Sequence, residues 1–486
     1  MIVPSSPFVE PPLVGIVPVA LVATGARRLD ARAYLTDGYG VRRRLESTAD
    51  VVTFGQLADV WQPSRLKGQL VDEEFGLPFL SAGQVFESRP RPRKWLAEST
   101  ITALSERRVE DGWLLLSRSG QVGRVTAVYP HHLNRVITDD LLRIVPTDGE
   151  IHGWLYAFMR TALFRAQAVS AQYGHMIKHL EPEHVRALPV PMPPSDVRRV
   201  ISRTADWALT CRRQALTLQA EANRLYEDAV NPSKRPIATE DWGPVPSYEA
   251  SHGRRRFEGA YHRPAVRDIE TLVRQAGCEG IDMVRDLVDE ISLGDRFKRH
   301  FGPKGKPYYS ASDLFDVNAP ITKRIYAGLV EDAARYLLHS GWLVMACSGQ
   351  TYGLLGRTMI LGKRHEGGFG SHDLIRLRPN PDRVRPGYLQ IVLSNETYGR
   401  PLVVRHAFGT SIPHLDPVDI GTIPVPRLGP ACEDAIANAC ELAFAKFEEA
   451  DDLETRATEQ AEVAVSRLMG QTPSVALVES DHVPPA

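Results

Sequence analysis

The stretch HLEPEHVRALPVP (179–191) occurs a second time in this chain as HLDPVDIGTIPVP (414–426). The histidine, the leucine and the prolines recur at a constant separation, since His179 and His414 lie 235 positions apart, as do Pro189 and Pro424. Internal self-similarity of this kind indicates repeated structural units, so it decides the architecture before any chemistry is considered.

Further matches between the two halves follow in the same order along the chain. Their offset changes by only a few residues, as short loop insertions allow. The matched pairs are GLPFLSAGQVFE (76–87) with GKPYYSASDLFD (305–316), GWL (112–114) with GWL (341–343), SGQ (119–121) with SGQ (348–350), DLLRIVP (140–146) with DLIRLRP (373–379), GWLY (153–156) with GYLQ (387–390), and RLDARAY (28–34) with RFEGAYH (256–262). The chain therefore consists of two divergent copies of one unit.

Composition places the chain among ordinary globular proteins. With 486 residues, 43% hydrophobic and 24% charged, it is long enough for two or three domains. A formal net charge of −1 excludes a uniformly basic protein but not a local basic face. The five scattered cysteines lack a CxxC pair, which favours reduced thiols in the cytoplasm over disulfides or zinc. The apolar stretch 12–25 is interrupted by Pro18 and predicts a buried strand rather than a signal peptide or a membrane span.

Two segments have the periodicity of long helices. Small apolar residues recur there in steps of three and four, which is typical of a helix that packs along its length on another helix. These positions are Ile201, Ala205, Ala208, Cys211, Ala215, Leu218, Ala222, Leu225 and Ala229 in the first segment, and Ile436, Cys440, Ala443, Phe447, Ala450, Ala457, Ala461, Ala464 and Leu468 in the second. We expect an antiparallel pair with Leu218, Leu225, Phe447 and Leu468 in the shared contact; the alternative is that each helix packs on its own domain.

The predicted fold class is α/β (α+β), with two repeated globular domains separated by two long antiparallel coiled-coil-like helices. The predicted segments are 1–49 (N-terminal extension and lead-in), 50–194 (first recognition domain), 195–230 (first spacer helix), 231–288 (linker and second lead-in), 289–428 (second recognition domain), 429–470 (second spacer helix) and 471–486 (mobile tail). The prolines of the repeated phrase forbid helix and predict an extended exit from each domain into its helix.

This order of features resembles the specificity subunit of type I restriction–modification enzymes, and the version found in a methylation-associated phage-defence system fits equally well. The resemblance covers nearly the whole chain and rests on the duplicated series, from the lead-ins at Arg28 and Arg256 to Gly174, Gly409 and the two phrases ending in PVP. The extension before Arg28 and the linker 231–255 depart from the pattern and leave the subtype open.

The resemblance implies a chain without catalytic activity of its own. Each domain would read one half of a split site in double-stranded DNA. The helices would hold two methyltransferase subunits, which would carry S-adenosylmethionine, and in many systems restriction or translocase subunits as well. A helix of about 35 residues spans roughly 50 Å. Because half-sites one DNA turn apart are about 34–36 Å apart, such a spacer is long enough to separate two readers.

Motifs for catalysis are absent from the sequence. We find no glycine-rich nucleotide or adenosyl motif, no Asn/Asp-Pro-Pro-aromatic motif of adenine methyltransferases, no GxSxG and no HExxH. The pair His131–His132 lacks partners at metal-ligand spacing, so an exposed loop is predicted there. Two other functions stay open: an autonomous DNA-modifying enzyme with an unrecognised site, and a protein-binding scaffold.

Candidate DNA contacts fall in two glycine-hinged turns and in basic segments. Serine hydroxyls, lysines and backbone amides suit phosphates, whereas glutamine and arginine suit base edges. The alternative is that each SerGly pair is only a tight turn with solvated neighbours. The predicted contacts are Arg118, Ser119, Gln121 and Arg124 in the first turn, Ser348, Gln350, Tyr352 and Arg357 in the second, Lys178 in the loop before the first phrase, and Lys67, Arg91, Arg93, Lys94, Lys304, Lys306, Lys363 and Arg364 in basic segments.

Overall fold

A computed structural model describes residues 37–48, 50–172, 179–240, 242–251 and 256–470, together with the single residues 19, 22 and 34. The chain forms two compact units. The first comprises Met1–Val85, Lys94–Leu209 and Asp452–Ala486, and the second comprises Phe86–Arg93 and Thr210–Asp451. Nearly all of the apolar stretch 12–25, the first lead-in at Arg28 and the tail 471–486 lie outside the described residues.

The described part of the first unit is built from short strands and helices that precede the first long helix. Its strands are β1 Val51–Thr53, β2 Ala58–Trp61, β3 Leu70–Val71, β4 Leu77–Leu80, β5 Lys94–Leu96, β6 Leu114–Ser117, β7 Val125–Ala127, β8 Val136–Ile137, β9 Leu141–Pro146 and β10 Pro189–Pro191. Its helices are α1 Asp37–Glu46, α2 Ala82–Val85, α3 Leu104–Arg107, α4 Gly149–Arg160, α5 Ala162–Ala171 and α6 Pro182–Arg186. The long helix α7 spans Ser195–Val230 and contributes residues to both units.

The described part of the second unit has the same kind of composition. Its helices are α8 Ser247–Ser251, α9 Pro264–Ala276, α10 Val284–Leu287, α11 Ala311–Phe315, α12 Pro386–Ser394, α13 Arg400–Val404 and α14 Pro417–Ile420. Its strands are β11 Ile281–Met283, β12 Val288–Leu293, β13 Phe301–Tyr309, β14 Arg324–Ile325, β15 Leu343–Ala346, β16 Thr358–Ile360, β17 Phe369–Gly370, β18 Leu374–Pro379 and β19 Pro424–Pro426. The second long helix, α15, spans Pro430–Leu468.

The two units share one strand topology, which confirms the duplication predicted from the sequence. The first contains an antiparallel sheet of order β2-β9-β6-β7, and the second contains its counterpart β12-β18-β15-β16. A parallel pairing also recurs, since Phe79 of β4 faces Val136 of β8 and Tyr308 of β13 faces Phe369 of β17. The predicted fold class, mixed helix and sheet in two repeated domains with long helices, is confirmed.

The repeated phrase forms the last strand of each globular part. β10 pairs antiparallel with β1, and β19 pairs antiparallel with β11. Val190 and Val425, the central residues of these strands, are fully buried. Because proline has no N–H to donate, such a strand is short and lies at an edge. The predicted extended exit is confirmed, and a long helix begins four residues after each phrase, at Ser195 and at Pro430.

Within the second unit the two long helices run antiparallel. The Cys211 thiol hydrogen-bonds to Glu449, and the Arg212 guanidinium lies 2.7 Å from the Asp451 carboxylate. Further along α7, Tyr226 belongs to the same apolar cluster as Ile436 near the start of α15. The small residues at the predicted contact are buried except for Ala229, which is partly buried. The four larger ones, Leu218, Leu225, Phe447 and Leu468, are also only partly buried.

The repeated GWLY and GYLQ motifs place a glycine where a domain helix crosses a long helix. A Cβ on Gly387 of α12 would lie 2.6 Å from the Ala437 carbonyl oxygen of α15. A Cβ on Gly153 of α4 would collide with the Ser202 carbonyl oxygen of α7. Since neither backbone can give way within a helix, only glycine permits this approach. Each long helix thus packs on a globular part as well.

The repeated DLLRIVP and DLIRLRP motifs each contain a buried arginine. Arg143 Nη1 donates to the carbonyl oxygens of Thr138 (2.8 Å) and Leu141 (2.6 Å). Arg376 donates to those of Ser371 (3.3 Å) and Leu374 (2.8 Å), at the equivalent positions. Burial lowers the pKa of Arg143 to about 9 and that of Arg376 to about 10. Hydrogen bonds to main-chain oxygens are what make such buried cations tolerable.

The prediction of an exposed loop at the His131–His132 pair was wrong for His132. That side chain is fully buried; its Nδ1 accepts from the Tyr129 amide at 3.1 Å, and its Nε2 lies 3.0 Å from the Val85 carbonyl oxygen. His365 occupies the equivalent place in the second unit and accepts from the Gly362 amide at 3.2 Å. Both rings are therefore structural acceptors in short turns.

The predicted linker region also contains an amphipathic helix that the sequence patterns did not reveal. Helix α9 buries Val266, Ile269, Leu272 and Val273 against the second unit. The lead-in residue Arg256 donates to the carboxylate of Asp419 at 3.1 Å. Part of the segment 231–288 is thus folded onto the second unit.

We predict that Gly387→Ala lowers the free energy of unfolding by about 1–3 kcal/mol, because the added methyl group overpacks the α12–α15 contact. The matched control is Gly149→Ala, which also lies in the first turn of a helix and whose Cβ would meet nothing within 4 Å. Chemical denaturation of both variants measures the difference, and equal stabilities would contradict the close contact.

We also predict a loss of stability in acid that depends on His132 and His365. Burial lowers the pKa of His132 to about 4 and that of His365 to about 3. Below about pH 6.5 the unfolded state therefore binds more protons, so stability falls as pH falls through this range. His365→Asn keeps an acceptor for the Gly362 amide and should flatten the dependence in denaturation experiments. An unchanged slope would show that His365 does not titrate in this way.

Candidate nucleic-acid interface

The first glycine-hinged turn closes around the hydroxyl of Ser117. Its Oγ donates to the Gln121 carbonyl oxygen at 2.6 Å and accepts from the Arg124 amide at 2.9 Å. Gly120 and Gly123 have φ values of +64° and +85°, a region that favours glycine. The exposed Gln121 side chain accepts from Arg124 Nη1 at 3.2 Å. Gln121 and Arg124 therefore form one polar group at the tip of the turn.

Arg118 and Ser119 from the same turn face inward. Arg118 is 8% exposed, pairs with the Glu181 carboxylate and donates to the Leu180 carbonyl oxygen. Ser119 Oγ lies 3.3 Å from the Asp140 carboxylate. The sequence predicted that both contact DNA, but Arg118 fastens the turn to the repeated phrase, so we correct its role to a structural one.

The second turn packs on the loop 408–413. Ser348 Oγ donates to Asp373 at 2.9 Å, as Ser119 does at the equivalent place. The Gly349 amide donates to the Pro413 carbonyl oxygen, and Gln350 Nε2 donates to the Ser411 carbonyl oxygen, both at 3.1 Å. Turn and loop are therefore one surface.

This turn and loop expose apolar side chains beside polar ones. The exposed fractions are 57% for Tyr352 and 59% for Ile412, and Phe408 is exposed as well. Phe408 and His414 exchange two main-chain hydrogen bonds, which close the loop around Gly409 with φ +95°. The first unit's equivalent loop, with Lys178, lies outside the described residues.

Arg357, predicted as a DNA contact, lies in a buried ion pair. It is 8% exposed, and its Nη2 lies 2.7 Å from Glu87 Oε2, which is itself 7% exposed. Arg93 takes the other oxygen of Glu87 at 2.6 Å. We therefore correct the role of Arg357 to a structural one.

Two further predicted contacts also have acidic partners. Arg91 pairs with Glu396 at 3.0 Å and is part-exposed, while Arg364 pairs with Asp451 and donates to Asn318 Oδ1 at 3.0 Å. Arg91 and Arg93 belong to the second unit by their contacts although they come from the first copy of the sequence. Lys67, Lys94 and Lys363 are exposed.

The second unit carries a basic surface around β13 and β14. Its residues are all exposed, and none has an acidic partner within 4 Å among the residues that the structure describes. They are Arg296, Lys298, Arg299, Lys304, Lys306, Lys323 and Arg324. Backbone contacts hold them together: Arg324 Nε donates to the Gly305 carbonyl oxygen at 2.8 Å, and the Tyr308 amide donates to that of Lys323 at 3.0 Å. Exposed cations without an acidic partner can bind the phosphate groups of a nucleic acid.

The basic stretches 297–306 and 323–324 are visible in the sequence, and of the seven cations only Arg296 lies outside them. A run of charge along the chain does not reveal which cations have acidic partners. That distinction depends on strand pairing, which brings residues 300–308 next to residues 323–326.

Among the residues that the structure describes, no group of three or more histidine, cysteine, aspartate or glutamate side chains is placed to hold a metal ion. No described helix is both long enough and apolar enough to cross a membrane.

Comparison of the sequence with protein-family models and with curated proteins gives no match. Comparison with solved structures finds specificity subunits of type I restriction–modification systems. The chain is similar to the S subunit from M. genitalium, with 13% identity and a TM-score of 0.37, over 86% of this chain and 95% of that one. It is also similar to the HsdS subunit from Thermoanaerobacter tengcongensis, with 13% identity and a TM-score of 0.27, over 85% and 96% of the two chains.

A third similar structure comes from a study of complex assembly and conformational transition in the type I R-M system, with 13% identity and a TM-score of 0.26, over 85% of this chain and 97% of that one.

We predict that Arg118→Met reduces stability by about 1–3 kcal/mol, because it leaves the Glu181 carboxylate without its buried partner. Gln121→Met, three residues away at the exposed tip, should change stability by less than about 0.5 kcal/mol. Thermal denaturation of the two variants makes the comparison. A larger loss for Gln121→Met than for Arg118→Met would overturn the assignment of Arg118 to the interior.

Proposed function

We propose that this chain is the DNA-recognition subunit of a type I-like restriction–modification or phage-defence complex. Each unit reads one half of a bipartite site in double-stranded DNA, and the chain positions adenine methyltransferase subunits, with restriction subunits in some systems. S-adenosylmethionine is bound by the methyltransferase partner. This chain acts in the cytoplasm and supplies specificity rather than catalysis.

The observation that carries the proposal is one fold present twice with different exposed turns. The internal bonds of the turns are alike, since Ser119 and Ser348 each donate to an equivalent aspartate. Both turns expose the glutamine of the repeated SGQ motif, Gln121 and Gln350, but the neighbouring side chains differ: a half-buried Arg124 in the first turn and an exposed Tyr352 in the second. A duplicated scaffold with divergent tips suits two readers of different sequences, because glutamine and arginine recognise base edges and aromatic rings contact the thymine methyl group.

The charge distribution supports DNA as the ligand. The basic surface of the second unit offers seven exposed cations on neighbouring strands. Contacts between lysine or arginine and phosphate supply affinity without sequence preference and set the register of the protein on the duplex. The exposed turn would then supply the sequence information, so affinity and specificity reside on separate residues of the same unit.

The helices supply a surface for protein partners. Several acidic side chains of α15, among them Asp434, Asp452 and Glu459, are exposed, whereas its small residues are buried. A long helix with an acidic outer face and no basic surface of its own suits a protein partner better than DNA.

The experiment is methylome sequencing of cells that carry this chain with its methyltransferase partner. We expect a bipartite adenine-methylated motif. Gln121→Ala should relax one half of the motif and Gln350→Ala the other, each by about tenfold or more, since a bidentate base contact is worth about 1–3 kcal/mol. Lys304→Ala should weaken all sites evenly and reduce the salt dependence of binding.

Four outcomes would contradict this proposal. A continuous motif, or one substitution that degrades both halves together, would refute separate readers. Methylation of DNA by the isolated chain would favour an autonomous enzyme instead. DNA binding with neither sequence preference nor salt dependence would favour a protein-binding scaffold.

A further inference from the structure

The second unit contains a cavity of about 120 Å³ beneath the second turn. It is walled by α7 and α15 on one side and by α12, α13 and β16 on the other. A volume of this size holds on the order of four waters. Five arginines reach its wall: Arg89, Arg212, Arg357, Arg364 and Arg400.

The segment 86–93 brings Arg89 into this cavity from the first copy of the sequence. The Ser88 amide donates to the Phe315 carbonyl oxygen, and the Val317 amide donates to that of Phe86, both at 2.8 Å. Glu87 and Asp316, equivalent residues of the two copies, face each other in this antiparallel contact. The pairing fixes the main chain immediately before Arg89.

Positive charge exceeds negative charge around Arg89. Five guanidinium groups lie close enough there to interact electrostatically, and two carboxylates form ion pairs with four of them. Glu87 takes Arg93 and Arg357, at 2.6 and 2.7 Å, and Glu396 takes Arg91 and Arg400, at 3.0 and 3.7 Å. Among the described residues, Arg89 has neither an ion pair within 4 Å nor a hydrogen bond from its guanidinium group.

Several polar atoms around the cavity also lack partners. Arg400 is 3% exposed, and its Nη2 donates to the carbonyl oxygens of Thr351 and Gly353. Its Nη1 has no acceptor, and its Nε lies 3.7 Å from Glu396 Oε2 without a hydrogen bond. Nη1 of Arg357 and Oγ of Ser394 have no hydrogen-bond partner either. Unpaired buried donors are costly, so this arrangement is suited to an acceptor that enters the cavity.

Burial affects the charged state of these groups. It lowers the pKa of Arg400 to about 10, with Glu396 opposing and Arg91 adding to the effect, and it lowers the pKa of Arg89 as well. With a pKa of about 10, Arg400 stays cationic at neutral pH.

The other carboxylates of the cavity wall reduce this excess to one charge, because seven arginines, counting Arg91 and Arg93, stand against six carboxylates, counting Glu87. Asp451 pairs with Arg212 and Arg364, and Asp313 caps α11 by accepting from Ser310. Asp316 and Glu448 also line the wall, where Glu448 lies against Gly362.

We propose that this cavity binds a small tetrahedral oxyanion of the phosphate class, held by Arg89, Arg357 and Arg400. The anion forms an ion pair with Arg89 and accepts hydrogen bonds from the unpaired N–H groups of Arg357 and Arg400. Guanidinium groups suit this ligand because they offer several N–H donors in a planar fork. Since Arg400 also holds the main chain of the second turn, an occupied cavity stabilises the turn that carries Gln350 and Tyr352. The binding itself does not depend on the proposed function in DNA recognition.

The test is thermal denaturation of the full chain in inorganic phosphate and in chloride at matched ionic strength. We expect phosphate to raise the melting temperature of the unmodified chain in a saturable manner, as mass action requires for a ligand of the folded state. Arg89→Gln should abolish this difference. Because Arg89 has no ion pair to break, the variant should be at least as stable as the unmodified chain in chloride.

Arg285→Gln, which changes an exposed arginine of α10 that belongs neither to the cavity wall nor to the basic surface, is the matched control and should keep the full phosphate effect. Equal melting temperatures in phosphate and chloride for the unmodified chain would overturn the proposal, as would an undiminished phosphate effect in Arg89→Gln. Should that variant fail to fold, the ³¹P line width of phosphate is measured with the unmodified chain and with Arg400→Lys. We expect broadening by the unmodified chain and none by Arg400→Lys; no broadening by the unmodified chain would overturn the proposal. A short DNA duplex without a recognition motif distinguishes the two sources of the phosphate group. If the duplex competes with inorganic phosphate for the cavity, the natural ligand is a DNA phosphodiester; if it does not compete, the ligand is free phosphate.

Discussion

The close approach of a domain helix to a long helix is the constraint on which the second unit depends. At Gly387 the backbone of α12 lies against the Ala437 carbonyl of α15, and any larger side chain would push them apart. Small buried residues of α15, such as Ala443 and Ala450, likewise allow close packing further along the helix. Helix backbones that are this close leave little freedom of position, so strands and turns carried by the domain inherit a fixed place relative to α15.

Buried polar groups carry the second level of order. Arg143 and Arg376 tie the last strand of each large sheet to the preceding turn through main-chain oxygens, and His132 and His365 accept main-chain amides in equivalent turns. An apolar residue at any of these positions would leave backbone groups unpaired. Specific buried hydrogen bonds, more than apolar bulk, therefore explain why the two copies kept the same motifs.

The surface of the turns follows a different rule. Groups that shape a turn, such as Ser348, are engaged inside the unit, and Gln350 donates one hydrogen bond to the Ser411 carbonyl oxygen, whereas Tyr352 is exposed. An exposed residue such as Tyr352 can diverge between copies with little loss of stability. In the second unit Arg400 contacts both the turn and the arginine cluster, so the turn and the cavity below it share one side chain.

The sequence by itself determined the duplication, the mixed fold, the long helix at 195–230 and the extended exits, because repeats, period and proline act locally along the chain. Only the tertiary structure decided that Arg118 and Arg357 are buried, that residues 86–93 pack in the second unit and that Arg89 faces a cavity. Each of these depends on partners far away in sequence: Glu87 and Arg357 are separated by 270 positions. A charged residue looks the same in a sequence whether water or a distant carboxylate surrounds it, and the physical reason is that long-range pairing leaves no local pattern.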